Sequence, residues 1–156
     1  SEESANDFAT TVQVLMEVES KLRELNNTFD EACCIYPAAP FVTIEHLKKG
    51  LDLLKENVYS VFPIVQYSHP IWRAFKINES GFNEMLWPEN SNLRTQDLEA
   101  VYHDVGQWYW YRPHLLKDTM FTEKSKSLIL TEMEVQDIDT ETDWAMAEFK
   151  YKFFNG

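Results

Sequence analysis

The first 66 residues alternate between two hydrophobic patterns, and this alternation restricts the fold more than any other feature of the chain. Apolar residues recur every three or four positions over 12–25, which is the period of an amphipathic helix. The run at 29–36 is short, apolar and poor in charge, and it predicts a buried parallel strand. A second helical pattern at 44–54 leads to another apolar run at 58–66. The order helix, strand, helix, strand favours an α/β layered sheet.

The middle of the chain departs from this alternation. Two β-like runs within 73–87 flank Glu79, Ser80 and Gly81, and this combination predicts a hairpin. The segments around it are polar and interrupted by proline. We therefore expect an arm at 66–88 that projects from a single domain spanning 1–156.

Three more elements are expected after the arm. The aromatic run at 106–111 and the apolar run at 127–133 each predict a strand. The last helix is expected to begin at Thr140, with Asp143 at its third position as a short variant of a capping box. The residues expected to line one face of this helix are Trp144, Ala147, Tyr151 and Phe154.

The charge and composition of the chain limit the kinds of partner it can bind and indicate where it is located. The net charge of −12 argues against the backbone of a nucleic acid or an anionic membrane as a partner. No apolar run reaches membrane-spanning length, and the polar, acidic start does not resemble a secretory signal, so a cytoplasmic location is expected. With four glycines in all, the chain contains neither a G-x-G-x-x-G motif nor a P-loop. Cys33 and Cys34 are neighbours, so a disulfide between them would be strained, and we expect two small apolar residues of a strand.

Asp137 and Asp139 form the strongest candidate for a metal site. They lie two residues apart after a predicted strand, and two carboxylates at a strand end can share a magnesium ion with the phosphates of a substrate. The alternative is an acidic approach to a helix N-terminus, where negative charge is favoured. On spacing alone both interpretations stand, whereas Glu141 and Asp143 are assigned to the helix start.

Several other polar residues are candidates for ligand binding, and each has a structural alternative. Arg94 could bind a carboxylate or phosphate through its planar guanidinium, or form a surface ion pair. Gln96 and Gln107 could hydrogen-bond a polyhydroxylated ligand, or satisfy loop backbone. His69 and His103 could bind or titrate, or be solvated or structurally bonded.

Three separated stretches, taken together, resemble a known family. They are CCIYPAAPF (33–41), RTQDLEAVYHDVGQWYW (94–110) and VQDIDTETDWAMAEF (135–149). In this order they are similar to the acylneuraminate cytidylyltransferases, which activate nine-carbon keto acids. Tyr36 before Pro37, together with the YHDVGQWYW run, most resembles the pseudaminic acid branch, because sialic acid enzymes tend to carry Gln and an N-G-A run at those places.

The resemblance implies a fold, a reaction and a set of site residues. The fold is a Rossmann-like layered sheet of the nucleotide-diphospho-sugar transferases, and the reaction transfers CMP from CTP to a 2-keto sugar acid with release of pyrophosphate. Asp137 and Asp139 match the pair that holds Mg²⁺, and Arg94 matches a loop arginine that contacts the sugar acid. The residues that fall at or beside ligand-facing positions are Tyr36, Gln96, His103 and Gln107.

The resemblance also implies a homodimer. The 66–88 arm is similar to a hairpin that reaches into a second subunit, so Arg73 is expected to serve the site of the neighbour.

The chain also departs from the family pattern. An N-terminal strand and an A-R-G-G-S-K-R-like nucleotide loop are absent, and Ala38 replaces a small hydroxyl residue. We therefore expect the C-terminal part of such an enzyme, truncated at its N-terminus and inactive alone. Three alternatives remain: a non-catalytic module that dimerises or binds a sugar acid; a CMP-N-acetylneuraminate or CMP-legionaminate synthetase; and a magnesium-dependent glycosyltransferase, for which no acceptor-site signature is present.

Overall fold

A computed structural model describes residues 1–2, 6 and 8–156, and it confirms the predicted mixture of helices and strands. The helices are α1 (Thr11–Glu24), α2 (Ile44–Leu53) and α3 (Glu141–Asn155); the strands are β1 (Ala32–Ile35), β2 (Ser60–Gln66), β3 (Phe75–Ile77), β4 (Asn83–Met85), β5 (Tyr102–Asp104), β6 (Trp108–Tyr111) and β7 (Ser125–Leu130). Short 3₁₀ turns connect several of them. Within the described part of the chain, no helix is long and apolar enough to span a bilayer.

Strand β2 is the centre of the main sheet. Along one side it pairs in parallel with the whole of β7, from Ser60 opposite Ser125 to Val65 opposite Leu130. The other side of β2 pairs antiparallel with both β6 and β5, which therefore lie end to end. Strand β1 completes this side by pairing antiparallel with β6.

A three-residue bulge separates β5 from β6. Between its pairs with Trp110 and Asp104, β2 advances three residues, from Val61 to Ile64, while the opposite strand advances six. The three extra residues lie within 105–107, and Gly106 has a φ of 60°, which a residue with a side chain adopts only at a cost. The bulge is paired on its outer side, because the backbone N–H of Tyr36 donates to the Gln107 carbonyl oxygen over 2.9 Å.

Helices cover both faces of the sheet. On one face Val12 of α1 packs with Phe62, Tyr109 and Tyr111 in a single apolar cluster. On the other face, Leu47 of α2 packs with a cluster whose buried members are Leu54, Val58, Val61 and Trp108. Successive residues of β6 thus enter different layers, as the alternation of a strand requires, and the fold has three layers, α/β/α.

The expectation of a buried parallel strand at 29–36 was wrong. Strand β1 is antiparallel to β6 and only partly buried. Its apolar run has another cause: Cys34 packs in the α1 layer and Cys33 in the α2 layer, so both faces of the strand are covered whatever its direction. Both thiols are free, as the sequence predicted. Strand β5 was not predicted.

The hairpin is confirmed and forms a separate two-stranded sheet of β3 and β4. Its turn is closed by the Asn78 side chain, whose oxygen accepts from the backbone N–H of Ser80 and of Phe82, over 3.1 and 3.0 Å. Gly81 adopts a φ of 81° in this turn. At the base, Trp72 packs edge-to-face on Trp87 with ring centroids 5.3 Å apart.

Helix α3 begins as predicted, with the Thr140 and Asp143 side chains and backbones bonded reciprocally. The face expected from the sequence is largely open to solvent, however. Ala147 is buried, but Trp144 and Tyr151 are 56% and 60% exposed. Phe154 contacts Phe41 edge-to-face over 6.5 Å, so α3 is attached to the rest of the domain through few apolar contacts.

We predict that Gly50→Ala destabilises the domain by about 1–3 kcal/mol, as overpacking of a core does. A Cβ at Gly50 would lie 2.5 Å from the ring of Trp108, a side chain that is fully buried. Urea unfolding followed by tryptophan fluorescence measures the change. The matched control is Lys48→Ala on the exposed side of α2, which should change stability by less than about 0.5 kcal/mol; equal midpoints for the two variants would contradict the packing argument.

Candidate active site

A cavity of about 1000 Å³ lies between the N-terminal end of α1, the bulge and the loop that follows β7. The first residues of α1, the last residue of β5 and the segment leading to α3 all contribute to it. Its polar lining includes Thr11, Tyr36, His103, Asp104, Asp118, Gln136, Asp137 and Lys150. Three residues singled out from the sequence, Tyr36, His103 and Asp137, are thus brought to one cavity.

Two other predicted residues lie next to this cavity without lining it. Asp139 borders a separate shallow pocket, together with Trp144. Gln107 is fully buried, and its Nε2 donates to the Glu134 carbonyl oxygen over 2.9 Å. Of its two interpretations, the structure therefore shows the contact with loop backbone; ligand binding by Gln107 stays a prediction.

The remaining three candidates, Arg94, Gln96 and Arg73, do not line the cavity. Arg94 is 72% exposed and forms a two-pronged ion pair with Asp97, with its Nε 2.8 Å from Oδ2 and its Nη2 3.1 Å from Oδ1. Gln96 is exposed in the same turn, and Arg73 is exposed at the base of the hairpin. A single subunit does not unite them with Asp137, so their ligand contacts also stay predictions.

The carboxylates of the D-x-D motif are carried by a loop rather than by a strand end. Strand β7 ends at Leu130, and a 3₁₀ turn at Glu132–Glu134 intervenes. In the loop, the Asp137 Oδ1 accepts from the backbone N–H of Ile138 over 3.1 Å. A Cβ on Gly106 would lie 3.3 Å from the Asp137 Oδ2, so the glycine of the bulge permits this carboxylate to approach the sheet closely.

The electrostatic environment divides the acidic residues into two kinds. The pKa of Asp137 is raised, first by partial desolvation and then by repulsion from Asp139, Asp143 and Asp104. The pKa of Asp143 is instead lowered, mainly by the hydroxyl of Thr140, which donates to it over 2.7 Å. Asp143 is therefore committed to the start of α3, as the sequence predicted, and Asp137 is available to a ligand.

The acidic loop fits a magnesium ion only as a site with few protein ligands. Among the described residues, no group of three or more histidine, cysteine or acidic side chains is arranged to hold a metal ion. Magnesium needs fewer protein ligands than this, because it keeps several waters and binds substrate phosphates. A cation beside Asp137 would also relieve the repulsion that raises its pKa. The loop thus suits an ion whose coordination is completed by water or phosphate oxygens.

The cavity also contains functional groups that sequence reasoning missed. Tyr109 donates its hydroxyl to the Asp104 Oδ2 over 2.6 Å, and burial raises the pKa of Tyr109, so this phenol stays protonated. Tyr36 packs on Tyr109 with ring centroids 5.3 Å apart and shares a 2.5 Å hydrogen bond with the Thr11 hydroxyl. Asp104 lies in the stretch already quoted for the resemblance, two residues before Gly106, and its place in that stretch was the sequence signal that could have identified it.

Comparison with known proteins finds similarity to several named enzymes. It is 30% identical over 151 residues to a pseudaminic acid cytidylyltransferase of Campylobacter jejuni, an alignment that covers 95% of the chain and 65% of that relative. A Helicobacter pylori protein named pseudaminic acid cytidylyltransferase and UDP-2,4-diacetamido-2,4,6-trideoxy-beta-L-altropyranose hydrolase is 37% identical over 138 residues, 86% of the chain and 26% of that protein. A CMP-N,N'-diacetyllegionaminic acid synthase of Legionella pneumophila is 27% identical over 160 residues, 95% of the chain and 65% of that protein.

These similarities confirm the resemblance expected from the three sequence stretches. The chain spans 65% of the length of the Campylobacter relative, slightly under two thirds. No family model matches the chain.

We predict that Asp137→Asn slightly stabilises the folded chain at neutral pH, by on the order of 0.5 kcal/mol for so exposed a side chain. The folded state raises the pKa of this carboxyl above its ordinary value of 3.8, so the ionised form is disfavoured in the folded state at neutral pH. The difference should shrink as the pH falls through the raised pKa and vanish below 3.8, where folded and unfolded chains are both protonated. Thermal unfolding of the variant and of wild type at neutral pH and below pH 3.8 measures this difference, with Asp52→Asn as the exposed control. A loss of stability in Asp137→Asn at neutral pH would refute the prediction.

Proposed function

We propose that this chain, a homologue of the pseudaminic acid cytidylyltransferases, is part of an enzyme that transfers CMP from CTP to the anomeric hydroxyl of a nine-carbon 2-keto sugar acid and releases pyrophosphate. The observation that carries the proposal is similarity along 95% of the chain to a protein of that name, with Tyr36, His103 and Asp137 on one cavity. The proposal includes a Rossmann-like fold and keeps the cytoplasmic location expected from the sequence.

The size and polar lining of the cavity support a polyhydroxylated ligand. Its volume is at the upper end of the range for small-molecule sites, roughly 300–1000 Å³. Its lining combines the hydroxyl-bearing residues Thr11 and Tyr36 with the acidic residues Asp104 and Asp137. Such a lining can donate to and accept from the many hydroxyl groups of a nine-carbon sugar.

The proposed reaction requires positioning and neutralisation of charge rather than covalent catalysis. The anomeric hydroxyl attacks the α-phosphate in line, and pyrophosphate leaves. Asp137 and Asp139 would hold Mg²⁺, which when bound neutralises the triphosphate and assists ionisation of the attacking hydroxyl. His103 places its Nδ1 2.9 Å from the Asp104 carbonyl oxygen, so a proton on Nδ1 would leave Nε2 to accept from a substrate hydroxyl.

A panel of three acids tests the reaction and the substrate together. Pyrophosphate release is followed with CTP, Mg²⁺ and pseudaminic, N-acetylneuraminic or N,N'-diacetyllegionaminic acid. We expect the full-length protein encoded by the gene to react fastest with pseudaminic acid. We expect the 156-residue chain alone to be inactive. Absence of turnover with every acid in both proteins would overturn the proposal and favour a module that only binds or dimerises.

We predict that Asp139→Asn, introduced into the full-length protein encoded by the gene, lowers turnover by about 10²-fold or more while leaving the fold intact, the loss typical of a group that stabilises transition-state charge. The reason is that one of two carboxylates proposed to hold Mg²⁺ is lost. The measurement is pyrophosphate release as a function of Mg²⁺ concentration, with circular dichroism as the check on folding. Glu141→Gln, two residues further on at the helix start, is the control; unchanged magnesium dependence in Asp139→Asn would refute the assignment.

The hairpin supports the proposal of a homodimer. Phe75 and Ile77 lie on one face of β3 and are 61% and 66% exposed, whereas Lys76 on the opposite face pairs with Glu84 over 2.9 Å. An exposed apolar strand face next to a charged one is typical of a surface that another chain covers. We propose that a second copy covers this face and that Arg73 then lies near the site of the partner.

We predict that Ile77→Glu converts the proposed dimer to a monomer, because it places a charge within the apolar face. Light scattering after size-exclusion chromatography measures the mass. Lys76→Gln, on the opposite face of the same strand, should leave the mass unchanged. A monomeric wild-type protein, or a dimeric Ile77→Glu variant, would count against the hairpin as the interface.

A further inference from the structure

The segment that precedes Asp137 is folded around the ammonium group of a lysine. Lys150 of α3 reaches back across the cavity lining, and its Nζ donates to the carbonyl oxygens of Glu132 and Val135 over 2.8 and 2.6 Å. A third bond, over 2.9 Å, goes to the side-chain oxygen of Gln136. An ammonium group has three hydrogens to donate, so these bonds use its full capacity.

Gln136 connects this ammonium to Asp137. Its side-chain oxygen accepts from Lys150, which orients the amide so that its Nε2 donates to the Asp137 carbonyl oxygen over 3.0 Å. The same Nε2 lies 3.5 Å from the Asp143 Oδ1. The amide therefore links α3, the segment at 132–136 and the backbone that carries the Asp137 carboxylate.

The opposite side of the segment is attached to the sheet and to α2. Gln107 donates to the Glu134 carbonyl oxygen, and the His46 Nε2 lies 3.3 Å from the Glu134 Oε1. Lys150 is thus the anchor from the helix side. Without its positive charge three oxygen atoms would converge on one point with no donor between them, an arrangement that is costly wherever water is excluded.

We infer that Lys150 is a positioning residue: its ammonium is the cation around which residues 132–137 close, and Gln136 transmits this constraint to Asp137. The consequence for catalysis rests on the function proposed above. The anchoring of the loop does not, because it follows from the contacts of Lys150 alone.

Hydrogen exchange, combined with chemical rescue by an added amine, tests the inference on the full chain. In Lys150→Ala, backbone amides at 131–139 should exchange at least about tenfold faster, the factor that loss of one hydrogen bond to a charged group permits. Propylammonium, which replaces the deleted chain and its charge, should restore slow exchange, and neutral propanol should not. Lys152→Ala, an exposed lysine of the same helix paired with Glu148, should respond to neither additive.

A second readout separates this inference from the proposed function. Titration with Mn²⁺ alone should show weaker binding to Lys150→Ala than to wild type, with recovery in propylammonium. If wild type binds no Mn²⁺, the metal role fails, whereas faster exchange with amine rescue would still support the anchoring.

Should Lys150→Ala not fold, Gln136→Leu replaces it, since it removes the link and leaves the helix lysine in place. Exchange at wild-type rates in Lys150→Ala, or equal rescue by propanol, overturns the inference. In Gln136→Leu, wild-type exchange at 137–139 overturns the proposed link from Lys150 to Asp137.

Discussion

The hydrogen bond from the Gln107 side chain to the Glu134 carbonyl oxygen joins the parts of the molecule that the site needs. Gln107 closes the bulge between β5 and β6, and its own carbonyl oxygen accepts from Tyr36 at the end of β1. The next residue, Trp108, is fully buried against α2. Glu134 in turn contacts His46 of α2. One buried amide therefore connects the sheet to the acidic loop. A shift in the register of the sheet would displace the loop, and a shift of the loop would strain the sheet.

Local patterns in the sequence predicted most elements of the fold. They failed where the existence or direction of a strand depends on pairing with a strand distant in the sequence. Helices α1 and α2 and the β3–β4 hairpin follow from periodicity, caps and turn residues, which are properties of adjacent positions. Strand β5 is short and polar, and it exists because β2 offers it a free edge. The direction of β1 likewise depends on β6, which no pattern within β1 records.

The site divides in the same way. Asp137 and the start of α3 at Thr140 were predictable, because a D-x-D motif and a capping box are contiguous in the chain. Lys150 was not, because two of its three contacts go to backbone carbonyls, and any sequence supplies those acceptors. Arg94, Gln96 and Arg73 were matched to a family pattern as single residues. They do not line the cavity of one subunit, and their ligand contacts stay predictions.

The adjacent cysteines of β1 have a consequence for how motions of this domain can be observed. Cys33 packs in the α2 layer and Cys34 in the α1 layer, so each thiol is shielded by a different half of the molecule. Burial raises the pKa of Cys33 to about 12 and also raises that of Cys34, which keeps both thiols in their unreactive protonated form. Both thiols are only partly buried, and alkylation at either sulfur is expected to speed up when the layer on its side opens. The native chain therefore carries two separate chemical reporters of partial unfolding, one for each side of its sheet.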